Sequence, residues 1–388
     1  MNASDVKLSD FTFSGAEEST IEDLRSLSDD DKHQLLMAGV DVEQDKRAGS
    51  FLHLNHSGVH CKSNHKGVEI LDIKKALDKY DGLPEYFWKL IDPDKDEFTR
   101  QAHDNLHGGY FVRTEKGAKI EEPVQSCLFL KGEQVGQNVH NVVIVEEDSE
   151  LHIITGCAVS SETEAAAHLG ISEFFVKKGG KLTFTMIHNW GENVVVRPRT
   201  RGIVEEGGVF QSNYVLMKAV GTLQSYPSID LVGEGARARF NSVIVAPEGS
   251  HVNSGSAINL MAPNTRGEII SRTLTTGGTI VAPGRITASA VPARGHLECK
   301  GLILGGGRIH AIPELDASRE GVELSHEAAV GKIAQEEIEY LQARGLDEDE
   351  ATSTIVRGFL NVEMDGLPEA LKQAIDEQIN HLDSSDAM

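Results

Sequence analysis

The chain has 388 residues, and its 37 Lys and Arg against 60 Asp and Glu give a formal net charge of −23. It has no uncharged apolar run of about 18 residues and no basic and apolar leader, so we predict neither a membrane-spanning helix nor a signal peptide. Without a dense basic run, so acidic a chain is not expected to bind nucleic acid, and a cytoplasmic location is expected.

Residues 1–107 mix helix and strand signals. Ser28 precedes the acidic and then apolar residues of DDDKHQLLM, which is typical of a capped helix start. FLHLNHSGVHCKS alternates apolar and polar residues and predicts a strand. GLPEYFWKLIDPDKDEFT predicts a helix that ends near Pro93. We therefore expect a mixed, partly helical amino-terminal region.

Residues 108–327 carry short β-branched runs that are separated by glycine-bearing turns such as KKGGK, EEGGV and GEGAR. Apolar residues after these turns recur about every 28 positions, in the series Leu182, Phe210 and Ala238 and in the series Val252, Ile280 and Ile309. A third series joins Ile269, Leu297 and the segment 324–327. A constant period of this length predicts a parallel β-solenoid, while short strands at regular spacing leave a β-sandwich as the alternative.

Residues 328–388 turn helical. Val330, Ala334, Ile338 and Leu341 share one helical face, and Asp347 with Glu350 forms the pattern of a capping box. Beyond Pro368, a further apolar stripe of helical spacing comprises Leu371, Ile375, Ile379 and Leu382. These helices are expected to cap the open end of the solenoid, because an uncovered strand edge pairs with other chains.

Four cysteines at irregular spacing form neither a disulfide framework nor a zinc ribbon, and the chain has no P-loop. Cys299 precedes Ser325, His326 and Glu327 by about one solenoid period, so a thiol, an imidazole and a carboxylate are expected close together on one wall of the solenoid. Such groups are competent iron ligands. The alternative is that Cys299 and His326 are ordinary core residues.

The remaining cysteines give weaker signals. Cys127 and Cys157 lie in apolar strand patterns and are expected to be buried. Cys61 lies close in sequence to His56, His60 and His65, which resembles a metal cluster on paper. On a strand, however, His60 and Cys61 point to opposite faces, so the sequence leaves open whether this cluster binds metal.

Several motifs together resemble the SufB/SufD family of iron–sulfur cluster assembly scaffolds. They are GVEILDIKKAL, YFWKLIDPDKDEFT, GGYFVRTEKGAKIEEPVQS, GQNVHNVVIVEEDSELHIITGCA, HAIPELDA, SHEAAVGKI and YLQARGLDEDEATSTIVRGF. They extend over about residues 50–362, and the carboxy-terminal motif is the most specific. The resemblance implies a right-handed parallel β-helix core over 108–327, flanked by an amino-terminal helical or mixed region over 1–107 and carboxy-terminal helices over 328–388.

The resemblance also implies site residues. Cys299 matches the essential SufB cysteine, His326 matches histidines of both SufB and SufD, and Glu327 matches the SufB carboxylate. In this likeness Cys299 accepts sulfur or ligates iron, and all three residues are metal and cluster ligands. Ile229, after Tyr226-Pro227-Ser228, stands where typical SufB has a second cysteine for incoming sulfur, and Ser325 is SufD-like.

These mixed features resemble the short archaeal SufB type, the SmsB-like subunit of a minimal two-component system. They imply a homodimer through the β-helix edges, because one cysteine per chain cannot hold a cluster alone. They also imply a SufC-like ABC-type ATPase docked near Arg344–Phe359, with no nucleotide bound by this chain. The implied function is a non-enzymatic scaffold that builds a transient 4Fe–4S or 2Fe–2S cluster for apo-proteins. A carbohydrate-active β-helix protein and a purely structural ATPase adaptor are the alternatives.

Overall fold

The computed structural model describes residues 7–43 and 46–361. Its main body is a β-solenoid of about eight turns with helices at the carboxy-terminal side, as the sequence predicts. The described helices are α1 (Asp29–Met37), α2 (Ile73–Lys79), α3 (Glu97–Asp104), α4 (Gln335–Gln342) and α5 (Glu348–Leu360), with 3-10 turns at Leu8–Asp10, Leu24–Ser26 and Leu83–Glu85.

The strands form two sheets that face each other across the solenoid. The amino-terminal strands are β1 (Gly49–Leu54), β2 (Ser57–Ser63), β3 (Val68–Asp72) and β4 (Tyr110–Thr114). The solenoid strands that continue β1 and β2 into a ten-stranded sheet are β5 (Val124–Leu130), β7 (Glu150–Val159), β9 (Lys181–Asn189), β12 (Val209–Leu216), β15 (Arg237–Ala246), β18 (Thr265–Thr275), β20 (Ala293–Ile303) and β22 (Val322–Gly331).

The second sheet continues β3 and β4. Its solenoid strands are β6 (Val135–Val145), β8 (Ala166–Val176), β10 (Val194–Val196), β11 (Arg199–Val204), β13 (Thr222–Ser225), β14 (Ser228–Leu231), β16 (His251–Ser254), β17 (Ser256–Leu260), β19 (Thr279–Ala288) and β21 (Arg308–Ala317). Apart from β1 with β2 and β3 with β4, the strand pairs are parallel.

The predicted repeat matches the strand register. Phe210 pairs with Leu182 on one side and with Ala238 on the other, and Ile280 pairs with Val252 and Ile309. The third series is also in register, since Leu297 pairs with Ile269 and His326. Parallel neighbours one period apart define a solenoid, so the β-sandwich alternative is wrong.

Glycine turns set the length of each coil. Gly207 and Gly235 both have positive φ, at 65° and 71°, and the Gly207 N–H donates to the carbonyl of Glu234 in the next coil at 2.8 Å. Residues with a Cβ adopt this left-handed conformation only at a cost, so glycine recurs at the same corner. Inside the coils, one core cluster of apolar side chains runs from Ala48 to Cys299.

The helix predicted to end near Pro93 is wrong in this structure. Only Leu83–Glu85 forms a 3-10 turn there, and α3 begins later, at Glu97. Trp88 has a φ of 56°, and the backbone N–H groups of Trp88, Leu90 and Ile91 all donate to the buried carboxylate of Glu173. These N–H groups donate to a side chain that is distant in sequence, and not to carbonyl groups of a helix. A local sequence pattern does not reveal such a long-range contact.

Among the carboxy-terminal helices that the structure describes, α5 does not cap the open end as predicted. Val356 and Leu360 of α5 pack on Val243, Leu274 and Leu302, on the outer face of the ten-stranded sheet. Strand β22 stays largely exposed, and Val330 belongs to that strand and not to a helix. The outward-facing apolar residues of β15, β18 and β20 explain the difference, because they offer the helix an apolar surface. The capping box of Asp347 and Glu350 is confirmed.

The apolar stripe predicted beyond Pro368 lies outside the described residues. Among the residues that are described, no helix combines the length and the apolar character needed to cross a bilayer.

We predict that Glu173→Ala lowers the free energy of unfolding by about 3 kcal/mol or more, because it leaves three backbone donors and His140 without their buried acceptor. Glu205→Ala, which removes a partly exposed ion pair with Lys177, is the control and should cost about 0.5 kcal/mol. Urea unfolding measures both variants. Equal effects would show that Glu173 does not anchor the amino-terminal region.

Candidate functional site

The candidate site lies at the open end of the solenoid. Strand β20 carries Cys299, and β22, its neighbour, carries Ser325, His326 and Glu327. β22 is the last strand of the ten-stranded sheet, so one of its edges has no strand partner among the described residues. The sequence-predicted trio therefore sits in the last two coils, next to solvent.

The register decides which of these side chains share a face. Cys299 pairs with Ala328, so the last coil step is one residue longer than the step from Leu182 to Phe210, and His326 pairs with Leu297. His326 is thus two positions from the residue opposite Cys299, which keeps both on the inward-facing side of the sheet. From strand spacing and rise, their Cα atoms lie about 8 Å apart.

Glu327 lies on the other side of the same sheet. It pairs with Glu298, whose neighbour Cys299 points inward, and its carboxylate binds the Nζ of Lys300 at 3.1 Å. Lys300 also binds Glu298 at 3.0 Å, and Arg272 forms a further ion pair with Glu298. These charged side chains form a cluster on the outer face of the sheet. Hydrogen bonds to the two carboxylates raise the pKa of Lys300. Within one chain, the imidazole but not the carboxylate shares the face of the thiol.

Ser325 also belongs to the outer face. Its hydroxyl lies 2.9 Å from Nδ1 of His296, the residue with which it pairs across the two strands. Among the residues that the structure describes, no group of three or more His, Cys, Asp and Glu side chains is arranged to hold a metal ion. Further ligands for iron at Cys299 and His326 would have to come from outside these side chains.

Cys299 closes one end of an internal column of polar side chains. Tyr214, Ser242, Ser271 and Cys299 follow one another in register, one per coil, and the Ser242 and Ser271 hydroxyl oxygens lie 3.1 Å apart. The four residues border an internal cavity of about 70 Å³. In the sequence, Tyr214, Ser242 and Ser271 place a hydroxyl group at each solenoid period before Cys299, a signal that a pattern of metal ligands does not include.

The Cys299 side chain is almost fully buried, since the residue is only 4% exposed. Burial, reinforced by the Glu298 carboxylate and opposed by Arg272, raises the pKa of Cys299 to about 11. A thiol in such surroundings is mostly protonated near neutral pH, and the thiolate is the form that binds metal or attacks sulfur. Cys299 therefore needs a positive charge, such as iron, beside it to act as a ligand.

The histidines near Cys61 do not converge on a common point. His60 lies between the Ser50 hydroxyl and the Ile21 carbonyl, both at 2.8 Å, and His56 contacts the Gly136 carbonyl at 2.9 Å. His65 accepts a hydrogen bond from the Gly67 N–H at 3.0 Å. Each ring is already bonded to nearby groups, so these residues form no metal site in this arrangement.

The other cysteine predictions agree with the structure. Cys127 and Cys157 are fully buried, in separate apolar clusters, and are confirmed as core residues. Ile229 is also fully buried, between Gly202 and Ile258 in the register, so an apolar side chain fills this interior position.

The chain is similar to one known protein family and to several of its members. Residues 128–359 match the family described as SUF system FeS cluster assembly, SufBD core domain. An iron–sulfur cluster assembly SufBD family protein of Archaeoglobus fulgidus is 54% identical over 346 residues, which span 89% of this chain and 93% of the relative.

More distant relatives carry related descriptions. An iron–sulfur cluster assembly SufBD family protein of Methanothermobacter thermautotrophicus is 44% identical over 344 residues, spanning 87% of this chain and 84% of the relative. The iron–sulfur cluster assembly protein SufB of Bacillus subtilis is 32% identical over 300 residues, spanning 76% of this chain and 64% of the relative.

Proposed function

Because this chain belongs to the SufBD family of iron–sulfur cluster assembly proteins, we propose that it is a non-enzymatic scaffold on which a nascent cluster forms before transfer to apo-proteins. The cluster is cargo, and its proposed place is the open end of the solenoid in the cytoplasm. The observation that carries the proposal is the placement of Cys299 and His326 on one face of adjacent strands, beside an edge without a strand partner among the described residues.

Two copies of the chain are proposed to meet at this end. The inward-facing residues Val322 and Leu324 pack against the apolar core but are only partly buried, and Val330 on the same strand is 42% exposed. A second copy that pairs its own edge strand there would cover these residues and satisfy the free backbone groups.

Pairing the two open ends also completes a ligand set. Each chain supplies one thiol and one imidazole on the inner face, so two chains supply four ligands, enough for a 2Fe–2S or a 4Fe–4S cluster. Glu327 of each chain would join as an additional oxygen ligand only after its ion pair with Lys300 opens. A shell of mixed thiolate, imidazole and carboxylate suits a site that must release its cargo.

A SufC-like ABC-type ATPase is the proposed energy source, since this chain has no P-loop. Its proposed docking surface lies near Arg344–Phe359, where Tyr340 of α4 is exposed and stacks with Arg344. Helix α5 packs on Leu302, three residues beyond Cys299 on β20. A movement of α5 caused by the ATPase would therefore be passed directly to the strand that carries the thiol.

We predict that Cys299→Ser abolishes the binding of iron and acid-labile sulfide during anaerobic reconstitution, because it removes the thiolate ligand. Cys61→Ser, which removes an exposed thiol, is the matched control and should bind as much as the unmodified protein. His326→Ala should lose more iron than Glu327→Ala, since only the imidazole shares the thiol's face. If Cys299→Ser retains full iron and sulfide, the chain is a structural adaptor and not the scaffold.

We predict that the chain is a dimer in solution and that Val330→Arg converts it to a monomer, because a charge would be buried at the paired open ends. Val232→Arg is a matched control, since Val232 is 43% exposed and Val330 is 42% exposed. Light scattering at micromolar concentration measures the mass of each variant. A monomeric unmodified chain, alone and with the ATPase, would contradict the proposal.

We predict that Arg344→Glu weakens binding of the SufC-like ATPase about tenfold or more, since it removes the cation that stacks on Tyr340 and reverses the charge. Arg319→Glu alters an exposed arginine on the turn before β22 and serves as the control. Titration of each variant with the purified ATPase gives the affinity. Equal affinities would move the docking surface away from these helices.

A further inference from the structure

One part of the twelve-stranded sheet has none of the described helices over its outer face. The amino-terminal region covers β6 and β8, and its Asp96 reaches Arg199 at the start of β11 at 2.7 Å. Past this point, none of the described helices packs extensively on β14, β17 or β19. We call this outer surface of β14, β17 and β19 the bare face.

Exposed apolar side chains concentrate around the bare face. Six large hydrophobic residues are exposed among those that the structure describes, and four of them lie here: Tyr226, Val232, Met261 and Val291. Val232 and Met261 directly follow the paired residues Leu231 and Leu260. Single exposed apolar residues need no explanation, but a row of them on neighbouring coils is typical of a protein contact surface.

Arg285 distinguishes this face from an ordinary solvated sheet. Its Nε is buried without a hydrogen-bond partner, and no hydrogen bond or ion pair joins Arg285 to another described residue. Arg201, three coils away in the same column, binds Asp230 at 2.9 Å. Glu314 pairs with Arg285 in the strand register, but the two side chains form no ion pair.

Tyr226 lies two residues before Ser228, and Arg285 follows Ser228 two coils further along the same column. The charges of Arg285 and Glu314 both act on the Tyr226 phenol. Ala257, which pairs with Ser228 and with Arg285, points outward, since its neighbours Ser256 and Ile258 line the interior, and yet it has no exposed surface. Longer neighbouring side chains therefore cover Ala257 on the outer side of the sheet.

An unpaired, partly desolvated guanidinium destabilises the free protein. It becomes favourable for binding when a carboxylate accepts hydrogen bonds from its planar N–H groups. Tyrosine and arginine are also the side chains that most often dominate protein interfaces. We propose that the bare face docks a protein partner through an acidic side chain, which binds Arg285 and accepts a hydrogen bond from Tyr226, while apolar residues of the partner cover Val232, Met261 and Val291.

A protein segment fits this surface better than a small carboxylate. Val232 lies four positions beyond Ser228, which is in the Arg285 column, and so about 13 Å along the strand from it. One small molecule cannot occupy the arginine and also cover the apolar row. The bare face is separate from the edge strand β22, so this partner could bind while the open ends are paired.

The test is photo-crosslinking in cells of the native host, with a benzophenone amino acid in place of Val232 in the full chain. The expected result is a crosslink to another protein, at a segment where mass spectrometry finds an acidic residue flanked by apolar ones. Arg285→Gln should reduce its yield about tenfold, as expected for loss of one charge-assisted bidentate pair. Arg237→Gln, at an exposed arginine of the other sheet, should leave the yield unchanged.

Three outcomes would overturn the proposal. They are no crosslink at Val232, a crosslink to a second copy of this chain, and a yield that Arg285→Gln leaves unchanged. A second measurement separates binding from a structural role. Arg285→Met should raise the midpoint of thermal unfolding, because it removes an unpaired buried donor. A lower midpoint would mean that Arg285 serves the fold and not a partner.

Discussion

The in-register stacking of parallel strands is the constraint on which the rest of this molecule depends. Neighbouring strands lie about 4.8 Å apart, so each residue has as its neighbour the residue one coil earlier. Coil length alone decides which side chains meet. The glycine corners fix that length in the middle of the solenoid, where two equal steps join Leu182, Phe210 and Ala238.

A change of one residue in coil length determines the character of the candidate site. If the last step equalled the two that join Leu182, Phe210 and Ala238, Glu327 would lie opposite Cys299, and His326 would face away from it. The observed step is one residue longer, so Ala328 lies opposite the thiol and His326 lies on the inner face. Glu327 therefore lies on the outer face, where it binds Lys300. The same step leaves apolar residues partly uncovered at the open end, where a second copy is proposed to bind.

Periodic features were predictable from the sequence, and long-range ones were not. The three series of apolar residues gave the strand register correctly, because a solenoid repeats the same local pattern in each coil. The helix prediction was wrong for the segment around Trp88, because its backbone N–H groups donate hydrogen bonds to Glu173, which is distant in sequence. Helix α5 was placed wrongly because its target, the outward side chains near Leu274, is visible only when both faces of each strand are assigned. For Cys299 and Glu327, the prediction of neighbouring strands was correct and the prediction of a shared wall was wrong, because the face depends on one residue in the preceding turn.

The central claim is that a cluster forms at the paired open ends with Cys299 as a ligand. Anomalous diffraction at the iron edge, from crystals of the anaerobically reconstituted protein, tests it most directly. We expect an iron peak within bonding distance of Cys299 Sγ, with His326 next to it, at the contact between two chains. Iron bound elsewhere, such as at the histidines near Cys61, or open ends that do not contact one another, would contradict it.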